Sequence, residues 1–406
     1  MKMTTVIKKE HLQLLLTAFV LLTVSVFFIA QPFQRSTVIS CAMILWVIGL
    51  VCLPHYWKNK EYEKQEFTLY AAGAVTFLIC LVSWLNSPYF DGSLNMIEPD
   101  SRFLLFPLTV IAIRYSGLTF QHLAIALILA AAAYTLATYT SPDSRVRGDE
   151  NAVTFGNGAM LLLVTSSCLA FFEKNIYLKI LLILSAMGYF YTSYRSGTRG
   201  SFIAFIPLSI LFLYFMTNKM RIIMIVVLIV GGISISQTRI GEGLSRASVN
   251  AISFFQKGDV QSSTGQRLAM WQSSWCFNQE NFLLGKGAHQ FKAATLDPNR
   301  LCKIEFKNSK GYYDQAHSFY FNSLATIGFL GLGSMLIFFF QLAKYSWSLP
   351  LIAKVTIPAV LLTFLTYSVT VDLLFHRYIA DKHLTLLAIL LGLSLSYRSN
   401  KQTQTA

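Results

Sequence analysis

In the stretch YRSGTRGS, residues 194–201, Arg195 and Arg199 stand among glycines and hydroxyl residues where a hydrophobic run ends. Backbone N–H groups in such a turn can form a concave nest for an anion, and guanidinium groups fork onto phosphate oxygens. Two boundary arginines snorkelling toward water are the plainer alternative. A further arginine opens STGQRLAMWQSSW, residues 263–275. Ser263 with Gln266 has the form of a capping box, so a helix is expected to begin there. Arg267 then lies in a first turn whose N–H groups already favour anions. Leu268, Trp271 and Trp275 share one face, a pattern suited to headgroup depth in a membrane. His317, in DQAHSFYF, precedes another hydrophobic run. A histidine titrates near neutral pH and can serve as a general base, and Asp314 and Ser318 are candidates for fixing its tautomer. Finally DLLFHRY places Asp372, His376 and Arg377 at one more run end, where structural pairing is the better explanation. Arg145 and Arg147 add positive charge in SPDSRVRGDE.

Other chemistries lack their residues. There is no Walker loop, no Gly-rich dinucleotide fingerprint and no Gly-x-Ser-x-Gly elbow. No His, Cys or carboxylate cluster has convincing metal spacing. Glu98 and Asp100 in EPD come nearest, and read better as ordinary loop carboxylates. These residues offer no evident nucleotide engine, and no cofactor or metal is expected from them.

The elements that must position these residues are membrane helices. Only 13% of the 406 residues are charged and 54% are hydrophobic, whereas soluble domains carry about a quarter charged residues. Apolar runs near the ~20 residues needed to cross a bilayer recur throughout. The fold class is therefore an all-α polytopic membrane protein with about twelve spans. They lie near 12–31, 36–54, 67–86, 102–115, 119–140, 152–172, 176–194, 201–217, 221–236, 317–343, 351–371 and 383–397. The fourth is short enough to tilt or to be enclosed by its neighbours. Three regions follow: helices one to nine in 1–236, a large loop with amphipathic helices in 237–316, and the last three helices in 317–406. No cleavable signal is evident in the first apolar run.

The net charge of +14 reads as loops obeying the positive-inside rule rather than as a nucleic-acid surface. Lys2, Lys8 and Lys9, HYWKNKEYEKQE, TNKMR and YRSNKQ fall on one side, which puts both termini in the cytoplasm. The four basic groups and the long loop fall on the other. Cys41, Cys52, Cys80 and Cys168 lie in spans as packing residues. Cys276 and Cys302 share the loop, where a bridge and two free thiols are equally open readings.

Three segments together resemble the bacterial O-antigen ligases, a group that extends to O-antigen polymerases and protein O-oligosaccharyltransferases. GTRGS (197–201) resembles an arginine motif at an outer span end. TGQRLAMWQSSWCFNQENFLLGKG (264–287) resembles the Gly-x-Arg start of the large periplasmic loop. HSFYFNSLATIGFLGL (317–332) resembles the His-initiated span with its Gly-x-x-Gly segment. The likeness covers the chain from about the sixth span onward. It implies a GT-C-like glycosyltransferase of the inner membrane with a periplasmic active site, working without metal or ATP. The donor it implies is an undecaprenyl-diphosphate-linked O-antigen glycan, and the acceptor a sugar of lipid A-core, both embedded among membrane lipids. Arg199 and Arg267 match the arginines that hold the donor diphosphate, and Arg195 lies one turn away to assist. His317 matches the histidine that activates the acceptor. Asp314, Asp372 and Arg377 stand as possible supporting residues.

The nearest rival is an O-antigen polymerase, which uses the same donor and a second lipid-linked glycan as acceptor. The match around RLAMW favours the ligase. A protein O-oligosaccharyltransferase carries a longer C-terminal region. A lipid-linked glycan transporter would need charged residues near mid-span, and the spans are almost free of them.

Overall fold

The computed structural model describes residues 2–58, 63–143, 145–149, 151–219, 237–298, 312–372 and 377–405, with isolated positions between 221 and 233. Among these residues every regular element is a helix. The helices are α1 (Lys2–Ala30), α2 (Arg35–Lys58), α3 (Lys64–Leu85), α4 (Ser101–Tyr115), α5 (Phe120–Thr140), α6 (Ala152–Phe172), α7 (Ile176–Arg195), α8 (Arg199–Ile203) and α9 (Phe205–Phe215). After these come α10 (Arg239–Lys257), α11 (Ser263–Glu280), α12 (Phe291–Leu296), α13 (Phe319–Ser346), α14 (Leu351–Tyr367) and α15 (Arg377–Thr405).

Among the described residues, eight helices are long and apolar enough to cross a bilayer: α1, α2, α3, α5, α6, α7, α13 and α15. The chain is thus a polytopic membrane protein. Three of the other expected spans are shorter helices. The 201–217 run is broken at Ala204 into α8 and α9, α14 stops at Tyr367, and α4 has only 15 residues. Helix α4 packs between α2 and α15. The run 221–236 lies partly outside the described residues.

Burial decides the layering. In α15 94% of the most apolar window is enclosed by protein and in α6 83%, against 33% in α1, α2 and α3. Helices α15 and α6 therefore form the interior, and the first three present a side to lipid. Helix α15 begins earlier than the expected 383–397, so it contains the buried Asp381 and Lys382. Asp381 receives a two-pronged bond from the Arg102 guanidinium on α4, with Nε to Oδ1 at 2.8 Å and Nη2 to Oδ2 at 3.0 Å. Glu66 on α3 meets Arg114 at 3.4 Å and accepts from the hydroxyls of Tyr56 and Tyr70. Both pairs sit near helix ends, where buried charge is compensated by a partner and by hydrogen bonds.

The loop after α11 does not stay outside the bundle. Gly328 has φ +67 and ψ −168, which breaks α13 about a third of the way along. The freed backbone groups are taken up by the NFLLGKG segment. Phe329 and Leu330 donate N–H groups to the carbonyls of Phe282 and Leu283, while Lys286 and Gly287 donate to Ala325 and Thr326. Ser83 on α3 closes the junction by donating to the carbonyls of Leu284 and Thr326. Irregular backbone wedged between helices is tolerated because each polar group finds a partner inside the protein. The Gly-x-x-Gly segment is therefore a helix break rather than an ordinary turn of helix.

Candidate active site

The turn that carries the first arginines is built before it is charged. Ser196 and Gly197 close α7, with Gly197 at φ +64, and Thr198 caps α8. Thr198 Oγ1 donates to the Ala152 carbonyl at 2.9 Å and lies 2.8 Å from Ser196 Oγ, which pins the turn to the start of α6. Gly156 of α6 lies beneath it: a Cβ there would stand 2.1 Å from Ser196 Oγ. The α5–α6 loop is tied to the same turn through Val146 N–H to the Arg195 carbonyl, 3.3 Å. Arg145 in that loop donates through Nε to the Ser196 carbonyl at 2.6 Å, and its side chain lies over Gly197.

Helix α11 supplies the second wall. Its cap is Ser262, one residue before the expected Ser263; the Ser262 hydroxyl accepts from the Gly265 N–H at 3.0 Å. Arg267 falls in the second turn and points toward the turn of α7 and α8. Helix α10 closes the third side with Glu242 and Arg246, which pair at 3.4 Å, and its Gly243 carbonyl accepts from Arg199 Nη1 at 3.1 Å. Arg199 lies close over Gly243, where a Cβ would stand 2.2 Å from its Nε, so a larger residue there would have to displace the guanidinium.

Together these walls enclose a cavity of ≈ 650 Å³, bordered by Arg145, Arg195, Arg199, Arg246 and Arg267 and by one carboxylate, Glu242. Arg195 is partly occupied with its own helix, donating to Tyr191 Oη at 3.0 Å and lying over that ring. Arg267 has no hydrogen bond or ion pair among the described residues. Burial, then the charges of Arg199 and Arg145, press its pKa below the ordinary arginine value, and Arg145 is pressed down by burial and Arg199. Guanidinium groups that repel one another across a cavity are an arrangement an anion relieves.

His317 does not border this cavity directly. It lies between Ala316 and the start of α13, with φ +49, a left-handed backbone that non-glycine residues rarely adopt. Its ring keeps solvent access within a dense surround of protein. That surround, then the Arg267 charge, lower its pKa to about 4 against a weaker upward pull from Asp314. The imidazole is therefore neutral at physiological pH and free to accept a proton. Among the described residues no hydrogen bond holds the ring. Asp314 stands 3.9 Å from Lys292 and the Ser318 hydroxyl is buried without a partner.

The remaining candidates are elsewhere. Asp372 is buried, and its charge acts on His289. His289 Nε2 meets Asp100 Oδ2 at 3.0 Å; burial opposes its charge, but Asp100 and Asp372 outweigh it and raise its pKa. Asp100 is thus a buried partner of a loop histidine, more than an ordinary loop carboxylate, while Glu98 turns to Arg102 at 3.6 Å. No group of three or more metal-ligating side chains occurs among the described residues. The side chain of Arg377, His376 and Cys302 lie outside the described residues. Cys276 is disulfide-bonded, and Cys41, Cys52, Cys80 and Cys168 are free thiols. Trp271 is half-buried against Phe321, so of the two expected interfacial tryptophans only Trp275, 50% exposed, faces outward.

Residues 180–336 match the family described as O-Antigen ligase. That segment, about two fifths of the chain, is similar to this family. The match contains Arg195, Arg199, Arg267 and His317 and ends before Asp372. Members of the family are membrane enzymes of the bacterial inner membrane, ligases and polymerases alike. Among curated proteins, none matches the chain.

Proposed function

We propose that the chain is an O-antigen ligase that transfers a glycan from undecaprenyl diphosphate to a sugar hydroxyl of lipid A-core on the periplasmic face. The observation that carries this reading is the arginine cavity, in which Arg267 has no hydrogen bond or ion pair among the described residues and its charge reaches His317. A lipid-linked sugar diphosphate fits such a cavity because its charge relieves the mutual repulsion of Arg145, Arg199 and Arg267.

The acceptor oxygen attacks the anomeric carbon as the bond from that carbon to the diphosphate oxygen breaks, with inversion. The hydroxyl proton passes to His317, and the bonding pair leaves on the diphosphate, where the arginines hold the developing charge. Arginine suits this role because it stays protonated and grips two oxygens at once. A bound diphosphate also offsets the Arg267 charge that depresses His317, so donor binding strengthens the base just when it is needed. Both termini lie in the cytoplasm in this reading, about twelve spans cross the membrane, and the fold is of the GT-C type. The 237–316 region is then the periplasmic loop, and Cys276 pairs with Cys302 in that oxidising compartment.

The test is a lipopolysaccharide gel from an O-antigen-producing strain that lacks this gene. Core-lipid A without glycan, with polymer still on the lipid carrier, supports the ligase. Core bearing a single repeat unit and no ladder means a polymerase instead, and an unchanged ladder overturns both.

A further inference from the structure

Trp271 lies one helical turn after Arg267 on α11, a rise of about 6 Å. Its indole N–H donates to the Ala316 carbonyl at 3.2 Å. The ring lies flat on Phe321, with centroids 4.8 Å apart and planes within 10°. Ala316 is fully buried, and its own N–H donates to Asn322 Oδ1 at 3.1 Å. Downstream, the Phe319 N–H is shared by the carbonyls of Ser368 and Val371, at 2.9 and 3.0 Å. The segment on either side of His317 is thus anchored to α11, to α13 itself and to the end of α14. A left-handed non-glycine backbone persists only where its surroundings over-determine it, and these bonds do so at His317.

We propose that Trp271 is a positioning residue for His317: its N–H fixes the peptide plane that leads into the histidine. Helix α11 then holds the diphosphate arginine and the base of one reaction on successive turns. The assignment rests on the ligase reading, in which His317 is the base. It gives the tryptophan a reason that interfacial anchoring does not supply, because its N–H points into the protein. Trp275, a turn further on and half-exposed, has no such bond among the described residues.

The experiment uses the full chain in nanodiscs with lipid-linked glycan donor and core-lipid A acceptor. Trp271→Phe keeps an aromatic ring for the stack on Phe321 but removes the donor N–H. The expected result is a fall in kcat of about tenfold, with the donor KM and binding of undecaprenyl diphosphate unchanged. The acid limb of kcat/KM should also move upward, as a histidine released from its place beside Arg267 regains its ordinary basicity. Phe321→Leu removes the stack and leaves the N–H bond; it should lower the thermal midpoint and leave the acid limb where it is. Trp271→Phe with wild-type kcat and acid limb overturns the assignment, as does a variant that loses diphosphate binding together with turnover. A wild-type chain that transfers no glycan overturns the ligase reading, and this assignment with it.

Discussion

Arg267 is the residue whose situation the protein leaves least resolved: a half-buried cation, facing other cations, with no carboxylate among the described residues to answer it. Its neighbour His317 inherits the consequence. With burial and Arg267 holding its pKa near 4, the free enzyme keeps a neutral imidazole well into acid. The profile of kcat/KM reports the free enzyme, so its acid limb is expected near pH 4 if no other group titrates first. The profile of kcat reports the donor complex, where diphosphate offsets Arg267, so that limb should lie higher. Coincident limbs in the two profiles would contradict this coupling. The sign for stability is consistent: the depressed histidine costs nothing above its unfolded value of about 6.5, and destabilises the fold as pH falls from there toward 4. In the sequence, Arg195, Arg199, Arg267 and His317 stand out because glycines, hydroxyls or run ends frame them. Arg145 reads only as added positive charge beside Arg147, because nothing in SPDSRVRGDE shows which of the two reaches a site. In the structure Arg147 takes Asp143 at 3.2 Å and Arg35 takes Asp149 at 3.6 Å, leaving Arg145 to the cavity. His289 was hidden likewise, because its partner Asp100 is far away in the chain.

At the scale of elements, the site depends on α11 and α13 keeping their relative placement, and the NFLLGKG junction between them is what enforces it. Gly285 has φ +65, and a Cβ there would lie 2.6 Å from the Thr326 backbone carbon. Gly285→Ala should therefore cost about 2 kcal/mol or more, read as a fall in thermal midpoint. Because the junction sets the start of α13 against α11, transfer should fall as well. A variant with wild-type stability would show that the junction is slack and that something else holds the two helices. Hydrophobic periodicity finds both helices, but it passes straight through Gly328, since a glycine in an apolar run is equally compatible with close helix packing. Only the carbonyls of Phe282 and Leu283, offered from another segment, make the break stable. For the strongly amphipathic α10 the sequence predicts only that the 237–316 loop holds amphipathic helices. Val249, Ile252 and Phe255 in its second half are exposed, at 61%, 55% and 75%, while Glu242 and Arg246 nearer its start border the cavity.

Across the whole molecule, composition alone makes a membrane bundle unavoidable, and the structure agrees with eight helices able to span. Composition does not tell which helices are interior. Helix α15 is the most enclosed of the spanning helices, although its mean hydropathy is among the lowest, because Asp381 is answered by Arg102 rather than by lipid. Asp381→Asn should leave that buried guanidinium only the more distant Glu98 carboxylate, at 3.6 Å, and cost about 3 kcal/mol, whereas replacing both Asp381 and Arg102 by leucine should recover much of the loss. Equal thermal midpoints for the wild type and Asp381→Asn would show that the pair is not what fixes α15 against α4. In the proposed ligase reading these contacts make a rigid frame that presents arginines and a neutral histidine to a lipid-linked diphosphate. The most direct measurement is binding of radiolabelled undecaprenyl diphosphate to the purified chain in nanodiscs, compared among wild type, Arg267→Ala and His317→Ala. The account predicts that Arg267→Ala loses binding by about a hundredfold while His317→Ala binds as wild type does and transfers nothing. Undiminished binding by Arg267→Ala, or turnover by His317→Ala near that of wild type, would contradict it.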